Sequence, residues 1–176
     1  MQFIWAVSKS YLQKHSRKET EYPTISHCPH CNRFINLWHH GYYERHVPTV
    51  DRVWNLDICR YICPHCHKTV SLLPWFLLPY FQYPRDTILH TLREHFLGQT
   101  SGIISRQLNQ CYAKRFMDNL KAIILIFRDK GFYETLPENE KQKAIKLVEW
   151  LQDTCPSASI QMIDENCKHF HNFMAL

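Results

Sequence analysis

Apolar and polar residues change rhythm twice along this chain. Before residue 24 the pattern is thin. Phe3 to Val7 is a short apolar run, read as a strand or a loose lead-in, and Lys9 to Glu21 is polar and reads as a loop. From residue 24 to about 73, apolar and polar residues alternate with the period of half-buried strands. Phe34–Trp38 and Tyr42–Val47 are predicted strands joined by a turn at His39-His40-Gly41, where Gly41 is free to take positive φ. Val53–Asp57 and Cys59–Ile62 continue the alternation, and Thr69–Leu73 closes the sheet before Pro74. Cys59 shares a strand face with Tyr61 and Cys63 and is expected in the core. Pro74, Pro79 and Pro84 interrupt the apolar stretch Trp75–Phe81, which predicts a packed linker instead of a long helix.

Past residue 85 the period lengthens to that of helices. Asp86 can cap a helix over Thr87–Leu97, with Ile88, Leu89, Leu92 and Phe96 on one face and Gly98 as its stop. Thr100 or Ser101 can cap a short helix through Leu108, with Ile103, Ile104 and Leu108 inward. A longer helix is predicted from about Tyr112 to Lys130, with a stripe of Phe116, Leu120, Ile123 and Phe127. This order resembles a helix-turn-helix unit, whose last helix enters the major groove of DNA. That layout nominates Gln110, Tyr112, Lys114 and Arg115 as contacts to bases or phosphates, with Ser105 and Arg106 touching the backbone. A plain three-helix bundle with a solvated basic face fits the same pattern equally well. After Pro137, Glu138–Asp153 is an amphipathic helix with Ala144, Leu147, Val148 and Leu151 inward. Ser157 can cap a final helix carrying Ile160, Ile163, Cys167, Phe170 and Met174.

The strand region also holds a repeat. Cys28-Pro29-His30-Cys31 and Cys63-Pro64-His65-Cys66 are the same tetrapeptide. Two Cys-x-x-Cys turns supply the four thiolates of a tetrahedral shell, so Cys28, Cys31, Cys63 and Cys66 are predicted to hold a structural Zn²⁺. Asn32 and His67, which follow the turns, are residue types that tolerate positive φ. His30 and His65 sit mid-turn and are expected to point outward. The predicted fold class is therefore α+β: a small Cys₄ zinc-ribbon sheet followed by an all-α, helix-turn-helix-like bundle. The segments are a lead-in over 1–23, the ribbon over 24–84, the helix-turn-helix-like unit over 85–133 and C-terminal helices over 134–176.

Charge sharpens this reading only by its distribution. The 176 residues carry a formal charge of +5. Residues 1–70 hold nine Lys/Arg against five Asp/Glu, residues 71–133 eight against four, and residues 134–176 four against seven. A polyanion would meet the first two blocks. Lys14, His15, Arg17 and Lys18 form a small basic cluster in the early loop. Trp38, His39, His40, Tyr42, Tyr43, Arg45 and His46 gather near the predicted hairpin tip, as base-stacking or phosphate contacts or as the aromatics a small sheet needs for a core. Paired thiols at metal spacing favour a reducing compartment, and no apolar run is long enough to span a bilayer, so a cytoplasmic protein is expected. There is no phosphate loop, no nucleophile elbow, no His-Glu-x-x-His and no deaminase pattern, and four thiolates leave no open metal position; no enzymatic activity and no small-molecule substrate are expected.

Residues 28–83 resemble the zinc-ribbon region that precedes a helix-turn-helix in insertion-sequence transposases. They also resemble short companion proteins of unknown function found beside those transposases, chiefly in Gram-positive bacteria. The residues carrying the likeness are the Cys28/Cys31 pair, His40-Gly41-Tyr42-Tyr43-Glu44-Arg45, Arg60-Tyr61-Ile62-Cys63-Pro64-His65-Cys66, Thr69-Val70-Ser71-Leu72-Leu73-Pro74, Phe76 and Pro79. The resemblance implies binding to double-stranded DNA at a transposon end, with the metal ligands on Cys28, Cys31, Cys63 and Cys66. A full transposase would continue into a catalytic domain. Its lack here implies catalysis on a separate transposase or recombinase subunit, or a shortened reading frame. A rival expectation is a protein-interaction adaptor that docks a transposase or transcription regulator. The nominated DNA contacts are Arg45, Arg106, Gln110, Tyr112, Lys114 and Arg115.

Overall fold

A computed structural model of the chain describes residues 2–5, 7, 12, 19–129 and 131–154. It is α+β and divides into two compact units, Met1–Gln82 and Tyr83–Leu176. The basic cluster of the early loop and the helix expected from Ser157 lie outside the described residues.

The first unit is a sheet of strands β1 (Gln2–Trp5), β2 (Trp38–Pro48), β3 (Val53–Ile62) and β4 (Thr69–Pro74), in the spatial order β1-β4-β3-β2. The last three run antiparallel, and β1 lies parallel against β4. The turn predicted at His39-His40-Gly41 is not a turn. The β2–β3 register slips by one residue there, and Gly41 at φ 131 supports a bulge inside one continuous strand. The hairpin reverses instead at Thr49–Arg52, where the Thr49 amide donates to the Arg52 carbonyl at 2.9 Å and its hydroxyl does so at 2.7 Å. Phe34, expected in a strand, makes an isolated bridge with His27.

Alternation along β3 puts Tyr61 and Cys59 on one face and Ile58 and Leu56 on the other, and each face has its own cover. On the first face, Cys59, Tyr61, Val70 and Leu72 pack with Ile25, Leu37, Cys28 and Cys63. On the second, Val47, Leu56, Ile58 and Leu73 pack beneath Phe76 and Leu77 of the Pro-punctuated stretch. That stretch forms turns and no helix, as its prolines require. Tyr61 ties the preceding segment down by donating its hydroxyl to the Pro23 carbonyl at 2.8 Å. Burial pushes this phenol, and the Cys59 thiol, above their ordinary ranges, so both stay protonated.

The second unit holds α1 (Arg85–Leu97), α2 (Arg106–Asp118), α3 (Leu120–Asp129) and α4 (Glu140–Thr154). α1 starts two residues earlier than the Asp86 cap predicts. Pro84 occupies the N-cap with no side-chain hydrogen bond, and Asp86 lies in the first turn, where its charge faces the positive end of the helix. Gly98 ends α1 at φ 82; its amide donates to His95, and the Gln99 amide reaches back to Glu94. The short helix expected from Thr100 to Leu108 does not form. Gly98 and Gly102 both take positive φ, and Ser105 caps α2 by accepting the Leu108 amide at 3.3 Å. A loop over 98–105 thus replaces the tight turn and short helix of the predicted layout. The long helix expected to follow is split at Asn119, whose side-chain and backbone amides both donate to the Arg115 carbonyl. Its stripe survives the break: Phe116, Leu120, Ile123 and Phe127 are all buried. Ala144, Leu147, Val148 and Leu151 of α4 are buried as expected. Arg93 of α1 pairs with Glu149 of α4 at 3.0 Å, and Phe127 and Phe132 pack on Trp150. Among the described residues no helix is long and apolar enough to cross a membrane.

Candidate metal centre

The repeated tetrapeptides fold as two copies of one turn. In the first, the Cys28 amide donates to the Arg33 carbonyl at 2.9 Å and the Asn32 amide to the Cys28 carbonyl at 2.9 Å. In the second, Cys63 donates to Lys68 at 3.1 Å and His67 to Cys63 at 2.9 Å. Asn32 and His67 both sit at φ 56, the left-handed conformation that lets each turn close. β3 delivers Cys63 directly after Ile62, and β4 leaves the second turn at Thr69. The first turn is anchored by the His27–Phe34 bridge and by the Leu37 amide on the Ile25 carbonyl at 2.8 Å.

This geometry brings Cys28, Cys31, Cys63 and Cys66 together, with ligand atoms all within 4.8 Å of one another. The Cys28–Cys66 sulfurs are 3.7 Å apart and the Cys31–Cys63 sulfurs 3.9 Å apart. A tetrahedral site with metal–thiolate bonds of about 2.3 Å sets its sulfurs about 3.8 Å apart. The four residues can therefore hold one metal ion. His30 and His65 are exposed, and Cys59 is buried outside the cluster.

The thiols of the cluster sit in unequal electrostatic surroundings. Burial pushes Cys28 up, but the amides of Cys31 and His30 and two neighbouring thiols outweigh it and hold this thiol at about 6. At Cys31 the Arg33 amide pulls downward, yet burial and three nearby sulfurs push the thiol up to about 11. Cys66 is raised in the same way, its Lys68 amide outweighed by burial and by Cys28 and Cys63. Near neutrality the thiols of Cys31 and Cys66 thus keep their protons until a metal displaces them. Metal binding at pH 7 is expected to release at least those two protons, and affinity to fall as pH falls. Titration calorimetry in buffers of different ionisation enthalpy measures the count; release of fewer than one proton contradicts it.

The nominated DNA contacts are scattered more widely. Arg45 is not at a hairpin tip. It pairs across from Leu56 within the sheet, half-buried, and its guanidinium donates to the Phe81 carbonyl. Tyr112 is a second correction: it is 4% exposed, on the core side of α2 with Ala113 and Phe116. The helix begins six residues before Tyr112, so that position falls mid-helix, on the buried face. Arg106, Gln110 and Lys114 are exposed and, at four-residue spacing, follow one another along the outside of α2. Lys114 pairs with Asp118 at 2.7 Å, and Arg115 is half-buried. Arg33 and Lys68 were not among the nominated residues, although both are exposed at the same place in the two turns. The repeat itself carries that signal, since each follows the second cysteine by two residues.

Residues 28–109 match a family described as a domain of unknown function (DUF6431). The matched stretch runs from the first cysteine of the cluster to Asn109 in α2 and takes in both metal turns. No curated protein matches the chain, and no solved structure matches it.

Proposed function

We propose that this chain is a non-catalytic, zinc-dependent DNA-binding protein of a mobile element, acting in the cytoplasm beside a separate transposase or recombinase subunit. The observation that carries the reading is the outward row Arg106, Gln110 and Lys114 on α2, with Lys121 and Arg128 exposed on α3. Such cations, on a helix with a polar outer face, suit phosphate contacts. The Lys114–Asp118 pair is exposed on both sides and screened by solvent, so a phosphate can displace it. Zinc is the assigned metal because an all-thiolate tetrahedral shell suits it and leaves no position for water, which makes its role structural. The mobile-element assignment is supported by the resemblance of residues 28–83.

The test is a gel shift on duplexes bearing the element's terminal sequences, beside scrambled duplexes, at low salt. Retardation is expected, and Arg106→Gln with Lys114→Gln should weaken it and lower the salt slope by about 1.8. Absence of retardation on every duplex overturns the reading. A stable transposase complex formed without DNA, indifferent to both substitutions, points to the adaptor role.

A further inference from the structure

The ribbon presents a second surface that the α2–α3 contacts leave unused. On the sheet face covered by Phe76 and Leu77, the apolar cluster among the described residues takes in Val47, Leu56, Ile58 and Leu73 and does not extend to the metal end. There the register places Trp38, Ile62 and Thr69 side by side on three adjacent strands, with Arg60 and Ser71 in the next row. Trp38 is 64% exposed, while Ile62, Arg60 and Thr69 are half-buried. Arg60 is held in the plane of this patch by donating to the Thr69 hydroxyl at 3.1 Å. Phe34, directly after Arg33, is 90% exposed, and its ring centre lies 5.1 Å from that of His27 in a tilted arrangement. Two large aromatics therefore stand in water at the metal end, where neither adds to the core.

Charge selects the partner. Residues 22–43 and 58–82 contain Arg33, Arg60 and Lys68 and no carboxylate. Between them, Glu44, Asp51 and Asp57 all lie toward the hairpin end. A divalent ion in four thiolates carries a formal −2, which Arg33 and Lys68 offset; that accounts for those two charges but not for Arg60, Trp38 or Phe34. Exposed aromatic planes among cations match a polyanion whose bases are free to stack. In a duplex the bases are already stacked on each other, so the matching ligand is a single strand.

We infer that the metal end of the ribbon binds single-stranded DNA, with Trp38 and Phe34 as stacking platforms and Arg60, Arg33 and Lys68 along the backbone. This deepens the reading above, since it assumes the chain works on DNA, and it assigns the open strand to a different surface from the duplex.

Fluorescence anisotropy of the full zinc-loaded chain tests it, with oligo-dT of about 20 nucleotides as one probe and a duplex of equal length as the other. Trp38→Ala and Phe34→Ala should each weaken oligo-dT binding by about fivefold to a hundredfold. Duplex affinity and zinc content should not change. Trp38→Phe, which keeps a ring, should retain most of the binding. Arg33→Gln with Lys68→Gln should lower the oligo-dT salt slope by about 1.4. Unchanged oligo-dT affinity in both alanine variants, with zinc retained, overturns the inference. If oligo-dT fails to bind while the duplex is retarded through Arg106 and Lys114, the inference falls and the duplex reading stands. If oligo-dT binds through Trp38 and no duplex is retarded, the reverse holds.

Discussion

Cys63→Ser will release the metal and unfold the sheet end of the first unit. Cys63 is fully buried and packs with Cys28, Cys59, Tyr61 and Val70, so its sulfur is both a candidate ligand and a core atom. Serine fills nearly the same volume, and a loss of fold therefore reports the missing metal bond, not a cavity. Structural zinc supplies roughly 10–16 kcal/mol of apparent folding free energy in small sites, as much as the whole stability of an ordinary domain. The segment over 25–37 is closed on itself by the His27–Phe34 bridge and the Leu37–Ile25 hydrogen bond, and besides Cys28 and Cys31 it meets the sheet through Ile25 and Leu37, which pack with Tyr61, Val70 and Leu72. It should lose protection first. Hydrogen exchange should show that segment fully exchanged, and elemental analysis should show less than one zinc per chain. Cys59→Ser is the control: it perturbs the same core but keeps four ligands, and zinc should remain. A folded, zinc-loaded Cys63→Ser protein would remove the basis for the metal centre.

Phe116→Ala will destabilise the helical unit by about 3–5 kcal/mol. Phe116 is fully buried on α2, and its ring centre lies 5.9 Å from that of Phe96 on α1. Truncation leaves a cavity between α1 and α2, beside the hydrogen bond from the Asn109 side chain to the Thr91 carbonyl. Chemical denaturation followed by helical circular dichroism should give a lower midpoint with an unchanged slope. Zinc content should stay at the wild-type value, because all four candidate cysteines lie in the first unit. Leu125→Ala, at a position 64% exposed, should fall within about 0.5 kcal/mol of wild type. A Phe116→Ala loss no larger than that of Leu125→Ala would show that the stripe on α2 and α3 does not form the core.

The elements that were legible in advance are those with a strong local cause. Gly98 ended α1 where expected because only a residue free of Cβ sits easily at φ 82. The core faces of α1 and α4 followed from spacing, as did the burial of Phe116, Leu120, Ile123 and Phe127. Errors arose where two local signals competed. His39-His40-Gly41 has turn composition, yet β3 offers a partner for every residue through Pro48 except the one pushed out by the bulge. Ladder hydrogen bonds outweighed turn preference there. Between α1 and α2, Thr100, Ser101 and Ser105 all resemble caps; Gly102 at φ 68 denies a helix to the first two and leaves the third. That shift moved Tyr112 from a helix start to a buried mid-helix site.

By itself the sequence determined which four cysteines could hold a metal, the α+β class and the inward stripes. These depend on covalent spacing and on periods of two and 3.6 residues, which are written along the chain itself. Tertiary structure alone decided what Phe76 and Leu77 cover. Among the described residues their cluster does not extend to the metal end, and Trp38 is left in water while Arg45 is drawn inward to the Phe81 carbonyl. Exposure is a property of what the rest of the chain fails to reach, and two aromatic residues of equal hydrophobicity look alike until that shortfall is known.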